Sequence, residues 1–366
     1  MKRIKTIIIV FFSFLIYSMI VYYNGWNGYV LLRALDVISY PGIYILFIIF
    51  LAYSYILSHF TSFTIFKIVG SYWLAILEYS ILLFPIANLF WLLLNQWITD
   101  ATIWIGMVTL SIILIILLYG TFNAYFPIIR TYQLSVEKRI AKRDSLTIAV
   151  ASDMHFGTLT GKSHLNRLVT KINTLAPDLI LLPGDIIDDD PIPFMKKKMG
   201  DQLAKLHAPL GVYGVLGNHE YYGKMIPEFL KEMNRIGIKI LLDEKVTVDD
   251  SLRLIGRKDK TDKDRLSISA LLENEESTLP ILMMDHQPAE LEEAMNDGID
   301  VIVSGHTHRG QMAPNHLITK RVFELDWGYK KKKQLHAIVS SGYGFWGPPI
   351  RIGSRSEIIY VKVTFI

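Results

Sequence analysis

Apolar positions are arranged in two ways along this chain. Before residue 121 they form four nearly unbroken runs, at about 6–23, 38–60, 71–94 and 101–120. Each run is about 20 residues, enough for a helix to cross a hydrocarbon core of ~30 Å. From Ser145 onward the runs shorten to strand length and alternate with charged amphipathic stretches, the rhythm of an α/β domain. The pattern predicts a transmembrane domain of about four helices over 1–122 and an α/β domain over 145–366. Between them, 123–144 reads as a basic juxtamembrane linker ending in Lys138, Arg139, Lys142 and Arg143.

Composition agrees. The chain is 51% hydrophobic and 20% charged, with a mean hydropathy of +0.31, which excludes an ordinary soluble protein and a disordered one. Cysteine is absent, which excludes disulfide scaffolds, zinc fingers, iron–sulfur ligation and thiol nucleophiles. A net charge of +4 is too small to argue for a nucleic-acid partner.

Lys2, Arg3 and Lys5 precede the first run as in a signal peptide, but Ile16–Tyr23 lacks a small-residue cleavage site, so the run reads as an uncleaved span. With the N-terminus inside, the inner side holds Lys2, Arg3, Lys5, Lys67, Arg130, Lys138, Arg139, Lys142 and Arg143, against Arg33 alone outside. That asymmetry favours N-in, and an even number of spans returns the C-terminal domain to the cytoplasmic face. Trp73, Trp91, Trp97 and Trp104 fall near the expected span ends, where interfacial aromatics belong.

The chemistry lies in the second half. Five apolar strands each end in a polar cluster. They are Asp153-Met-His155, Gly184-Asp185-Ile-Ile-Asp188, Gly217-Asn218-His219-Glu220, Asp285-His286 and Gly305-His306-Thr-His308. In open α/β sheets the carboxyl ends of the strands form the ligand crevice, so the five should converge. Asp, Asn and His without Cys suit a hard to borderline divalent ion such as Mn, Fe or Zn. Asp153 and His155 are two apart, as are His306 and His308, and side chains at that spacing on an extended segment point the same way. A glycine before Asp185, Asn218 and His306 lets the backbone turn and approach closely. Taken singly, each cluster could be a surface pair, a turn or a helix cap; all five in this order point to a dinuclear metal site. Glu220 reads as a cap or supporting residue rather than a ligand. HExxH and the P-loop signature are absent.

In these five clusters the chain from about residue 145 resembles the calcineurin-like metallophosphoesterase family. The tail, with Gly342-Tyr-Gly, Pro349-Ile-Arg351 and Ser356-Glu357, resembles its membrane-associated bacterial branch, which includes enzymes hydrolysing UDP-2,3-diacylglucosamine. Ser356 stands where that branch usually has proline, and Arg309 where glycine is common. The resemblance implies a four-layer α/β/β/α sandwich and two divalent ions. It implies that Asp153, His155 and His308 bind one ion, that Asn218, His286 and His306 bind the other, and that Asp185 bridges them. It also implies that His219 is a general acid or transition-state stabiliser, oriented by Asp188. Such a pair of ions activates a bridging water and clamps phosphate oxygens during in-line attack. The implied activity is hydrolysis of a phosphate ester or pyrophosphate bond in a small-molecule or lipid substrate, beside an integral membrane anchor. A metal-binding regulatory or sensor protein without turnover is the alternative. The basic runs Lys138–Arg143, Lys196–Lys198 and Lys330–Lys333 could face anionic headgroups, and the aromatic stretch Tyr343–Trp346 could line a channel.

Overall fold

The computed structural model describes all residues except 1, 62, 139, 141 and 274–277, so Arg139 of the basic run lies outside the described residues. The chain forms two compact units, Met1–Gly120 and Thr121–Ile366.

The first unit is helical, with α1 (Lys2–Ala34), α2 (Pro41–Leu57), α3 (Thr64–Leu94) and α4 (Ala101–Tyr125), whose last turn belongs to the second unit. Three of these, α1, α3 and α4, are long and apolar enough to cross a membrane. The second is shorter than its hydropathy suggested. Pro41 starts it and it ends after 17 residues, about 25 Å at the helical rise. Polar side chains link the helices, which suits a medium offering no water to exposed donors. Asn88 donates to the Tyr23 hydroxyl at 2.7 Å, and Tyr44 donates to the Gly25 carbonyl at 2.7 Å. Trp73 does not mark the start of its helix: α3 begins seven residues earlier than the hydropathy placed it, and the indole is buried and donates to the Tyr17 hydroxyl at 3.2 Å.

The second unit contains two six-stranded sheets. The strands are β1 (Ile128–Val136), β2 (Ser145–Val150), β3 (Leu179–Pro183), β4 (Val212–Val215), β5 (Ile238–Ile240), β6 (Glu244–Val248), β7 (Leu252–Gly256), β8 (Ile281–Met284), β9 (Val301–Ser304), β10 (Gly328–Lys332), β11 (Leu335–Val339) and β12 (Glu357–Phe365). One sheet has the order β1-β12-β2-β3-β4-β5, the other β10-β11-β9-β8-β7-β6. Strands β2 to β5 run parallel, as do β7, β8, β9 and β11.

Alternation along each strand sorts the side chains. In β2, Leu146, Ile148 and Val150 join residues of both sheets in the central core, while Ala149 faces the helical side. Leu165, Leu168 and Ile172 of α5 (Lys162–Leu175) cover the first sheet, and Leu291 and Ala294 of the helix Leu291–Asn296 cover the second. The result is an α/β/β/α sandwich, built because each sheet must bury both of its faces.

The stretch expected as a linker contributes a strand. β1 pairs with β12 in parallel over nine residues, Ile128 opposite Glu357 through Val136 opposite Phe365. Its own alternation explains this: Leu134 and Val136 enter the inter-sheet core while Thr131, Gln133 and Ser135 stay exposed.

Candidate metal centre

All five polar clusters follow the carboxyl ends of parallel strands, β2, β3, β4, β8 and β9, four in loops and one, Gly217–Glu220, at the start of the helix Asn218–Gly223. The loops bend sharply. Asp153, His155, Asp185, His306 and His308 adopt positive φ, between 45° and 71°. Non-glycine residues rarely occupy that region, and each instance costs on the order of 1–3 kcal/mol. Strain concentrated on five neighbouring chemical residues must be held by the surrounding packing. The glycines permit the close approach: a Cβ on Gly305 would lie 2.1 Å from Asp153 Oδ2, and one on Gly217 would lie 2.2 Å from Asp185 Oδ1.

The predicted residues come together in two neighbouring groups. In one, Asp153, His155 and His308 present ligand atoms within 4.8 Å of each other; in the other, Asp185, His286 and His306 do so. Asp185 Oδ2 lies between the groups, 3.2 Å from His286 Nε2 and 3.9 Å from His155 Nε2. Asn218 Oδ1 lies 3.1 Å from His286 Nε2 and 2.8 Å from His306 Nδ1.

The donor set fits divalent cations on its own chemistry. His286 Nδ1 is 2.9 Å from the Pro183 carbonyl, which only accepts, so Nδ1 carries the proton and Nε2 turns its lone pair inward. That lone pair faces two further acceptors, Asp185 Oδ2 and Asn218 Oδ1. Three acceptors meeting in a buried place need a cation or an added proton among them. Asp153 Oδ2 is likewise buried without a hydrogen-bond partner among the described residues, while Asp153 Oδ1 accepts from the His306 backbone N–H at 2.7 Å. The two Nε2 atoms of His155 and His308 face each other at 3.0 Å.

Electrostatics follow burial. Desolvation pushes His155 and His306 down to about 4 and His308 well below its ordinary value, so these imidazoles stay neutral, the form that can ligate. Burial alone would raise Asp185, but the imidazoles of His286, His155 and His219 hold it below the usual carboxylate range.

His219 sits beside both groups, its Nε2 3.9 Å from Asp185 Oδ2. Its Nδ1 is 2.6 Å from Asp189 Oδ1, an ion-pair distance, although the carboxylate lies off the N–H direction. Burial would lower this imidazole, but Asp189, Asp185 and Asp188 together raise it to about 9. Asp188 shares a group with His219 and helps to raise it, and Asp189 is in contact with the ring as well, a partner the sequence reading missed. The run Asp188-Asp189-Asp190 offers three adjacent carboxylates, and only the turn decides which one faces the ring.

Two further supports come into view. The Glu220 carboxylate accepts backbone N–H groups from Gly217 at 2.7 Å, Ile187 at 3.0 Å and Asp185 at 3.1 Å, which makes it a brace between two ligand loops. Arg351 is fully buried; it donates to the Gly344 carbonyl at 2.6 and 3.1 Å and lies 3.1 Å from His308 Nδ1. The sequence marked Arg351 as a motif residue without giving it a task. The aromatic stretch divides: Tyr343 and Phe345 are buried, whereas Trp346 is 53% exposed with its ring 6.1 Å from that of His219. Tyr222, 56% exposed, flanks His219 at 5.7 Å.

The sequence profile described as calcineurin-like phosphoesterase matches residues 146–310. Over 255 residues the chain is 30% identical to an uncharacterized metallophosphoesterase of Aquifex aeolicus, covering 67% of this chain and 95% of that protein. It is 28% identical over 268 residues to a transmembrane protein with metallophosphoesterase domain of Danio rerio, covering 69% of this chain and 61% of that one. It is 24% identical over 288 residues to a UDP-2,3-diacylglucosamine pyrophosphatase of Chlamydia muridarum, covering 62% and 86%. The chain thus spans nearly all of the Aquifex protein and about three fifths of the zebrafish one. With that extent of identity, and with every one of the five loops inside the matched region, the chain belongs to the calcineurin-like metallophosphoesterases, a family of metal-dependent phosphoester hydrolases.

Proposed function

We propose that this protein is a membrane-anchored phosphohydrolase with two divalent ions, Mn, Fe or Zn, and that it cleaves a phosphate ester or pyrophosphate bond in a lipid-linked substrate. The observation that carries this reading is the position of Asp185 Oδ2 between two groups of nitrogen and oxygen donors. Asp153, His155 and His308 would hold one ion, Asn218, His286 and His306 the other, and Asp185 both. When bound, such a pair supplies Lewis-acid activation of water and of the phosphoryl oxygens.

The chain's own residues do the rest. Asp185 places a negative charge where two cations would repel each other. Asp189 and Asp188 keep a proton on His219, whose Nε2 faces the same carboxylate. From there His219 delivers that proton to the leaving oxygen, general acid catalysis typically contributing 10²–10⁴-fold. Glu220 fixes the backbones that present Asp185 and Asn218.

A lipid substrate is supported by the membrane helices and by the Chlamydia relative, whose substrate is a diacylated sugar nucleotide. With α2 counted as a fourth span, the excess of basic residues on one side supports a cytoplasmic catalytic domain; with three spans the domain would lie on the opposite face.

The test uses the full chain in detergent. Hydrolysis of p-nitrophenyl phosphate, bis-p-nitrophenyl phosphate and a lipid pyrophosphate is followed with Mn²⁺, Zn²⁺ or EDTA. Turnover should need metal, be abolished in Asp185→Asn together with metal binding, and favour the lipid pyrophosphate. Protein carrying two ions per chain that turns over none of the three would be a metal-binding regulator instead.

A further inference from the structure

Two of the basic runs that stand out in the sequence are partly neutralised in the fold. Lys138 pairs with Asp300 at 2.7 Å, Arg143 with Asp249 at 2.6 Å and Lys142 with Asp250 at 3.1 Å. Lys330 pairs with Glu324 at 2.9 Å, and Lys332 with Glu292 and Glu324. A different set of cations, scattered in sequence, meets without any acid. Arg167 and Lys171 of α5 and Arg355 of the loop before β12 line a cavity of about 530 Å³ with Phe122, Phe126, Asn166 and Thr170. No carboxylate lines it, and among the described residues none of the three cations forms an ion pair.

Both guanidiniums are held in place but not used up. Arg167 lies over the Phe126 ring at 5.0 Å and gives one Nη1 hydrogen bond to the Tyr125 carbonyl. Arg355 lies over the Phe122 ring at 5.0 Å and donates Nε to the Phe126 carbonyl at 3.0 Å. A guanidinium has five N–H donors, so most of each fork stays free, in a geometry suited to a phosphate. Asn166, Arg167, Thr170 and Lys171 share one helix face by their spacing.

The location names the source of that phosphate. Phe122 lies on α4, two residues past the apolar run ending at Gly120, so the chain enters this cavity where it leaves the hydrocarbon region. Phe122 and Phe126 are stacked at 4.9 Å and are 46% and 48% exposed, apolar rings beside cations as the headgroup layer requires. We infer that the cavity of Arg167, Lys171 and Arg355 binds the phosphate headgroup of an anionic membrane phospholipid, at a site separate from the metal centre.

The experiment is lipid retention by the full chain in detergent, read by native mass spectrometry during titration with phosphatidylglycerol or phosphatidylcholine, with inorganic phosphate as competitor. One phosphatidylglycerol should be held in preference to phosphatidylcholine. Lys171→Gln removes a side chain with no hydrogen bond or ion pair among the described residues, and should weaken that preference about fivefold. Arg167→Gln/Lys171→Gln/Arg355→Gln should weaken it on the order of 10²-fold, while Lys142→Gln, in an ion-paired run, should leave it unchanged. Equal retention of the two lipids, or an unaltered preference in Lys171→Gln, would overturn the inference. So would displacement of the lipid by millimolar inorganic phosphate, which would mark a free-anion site.

Discussion

Replacing Glu220 tests whether the loops of the metal centre are held by one buried carboxylate. Glu220 is 2% exposed; its Oε2 accepts from the Gly217 and Asp185 N–H groups and its Oε1 from that of Ile187. In Glu220→Gln the amide oxygen can keep the first two bonds, which leaves an NH₂ against the Ile187 N–H. One buried donor is then orphaned, at about 1–3 kcal/mol. Part of that loss is offset, because burial and the charge of Asp185 already raise the proton affinity of Glu220 and a neutral amide escapes that penalty. Glu220→Ala orphans all three donors, so its cost is at least about 3 kcal/mol. In a domain of this size each kcal/mol moves the melting midpoint by roughly 2–4 °C. Those donors flank Asp185 and Asn218, and loss of such supporting contacts typically costs 10–100-fold in metal affinity or activity. The assay is thermal unfolding of the full chain with and without Mn²⁺, beside kcat/KM on bis-p-nitrophenyl phosphate. The alanine variant should melt lower, bind Mn²⁺ more weakly and turn over more slowly than the glutamine variant. An alanine variant matching the parent, or a glutamine variant worse than alanine, would refute the bracing role.

Three other outcomes are expected. His219→Ala should keep its metal content by elemental analysis and lose about 10²–10⁴ in kcat, most with poor leaving groups; undiminished turnover of an alkyl phosphate would remove His219 from proton transfer. Arg351→Met should lower metal affinity about 10–100-fold through His308 while changing the melting midpoint little, since the guanidinium, pushed down to about 10 by burial, no longer has to be desolvated; an equilibrium metal titration reads this. His164, pushed down to about 4 chiefly by burial, binds its proton more readily in the unfolded chain, so its share of stability is complete above about pH 6.5 and lost as pH falls towards 4, up to about 3 kcal/mol. Melting midpoints at pH 7 and 5 should therefore differ less in His164→Gln than in the parent.

Much of the α/β half was legible because its information is local. The five strands that carry the site announce themselves by apolar runs, and each polar cluster follows directly, so the meeting of Asp153, Asp185, Asn218, His286 and His306 could be read from order alone. What escaped reading depends on distant partners or on a turn. β1 was hidden because its partner β12 lies more than 200 residues away and its nine residues stand just before the basic run Lys138–Arg143. Asp189 escaped notice beside Asp188 because backbone direction after Asp185, not residue type, decides which acids approach His219. The pairing of Lys138, Arg143 and Lys332 was hidden because Asp300, Asp249 and Glu292 are remote in sequence. The start of α3 was misplaced because hydropathy marks its apolar stretch, not where its first turn begins.

The strand between anchor and enzyme sets a limit on modularity. Proteolysis after residue 136, or a recombinant fragment begun near 140, would not release a finished domain. It would strip β12 of a nine-residue partner, withdraw Leu134 and Val136 from the central core, and expose a sheet edge ready to recruit another chain. Separation at the Gly120–Thr121 boundary keeps β1, along with Phe122, Asn123 and Ala124, which contact the β12 side of the sandwich. The membrane segment therefore cannot be exchanged at the basic stretch as a cassette; an anchor swap or natural shedding event that leaves the enzyme whole has to cut at the mouth of the bilayer.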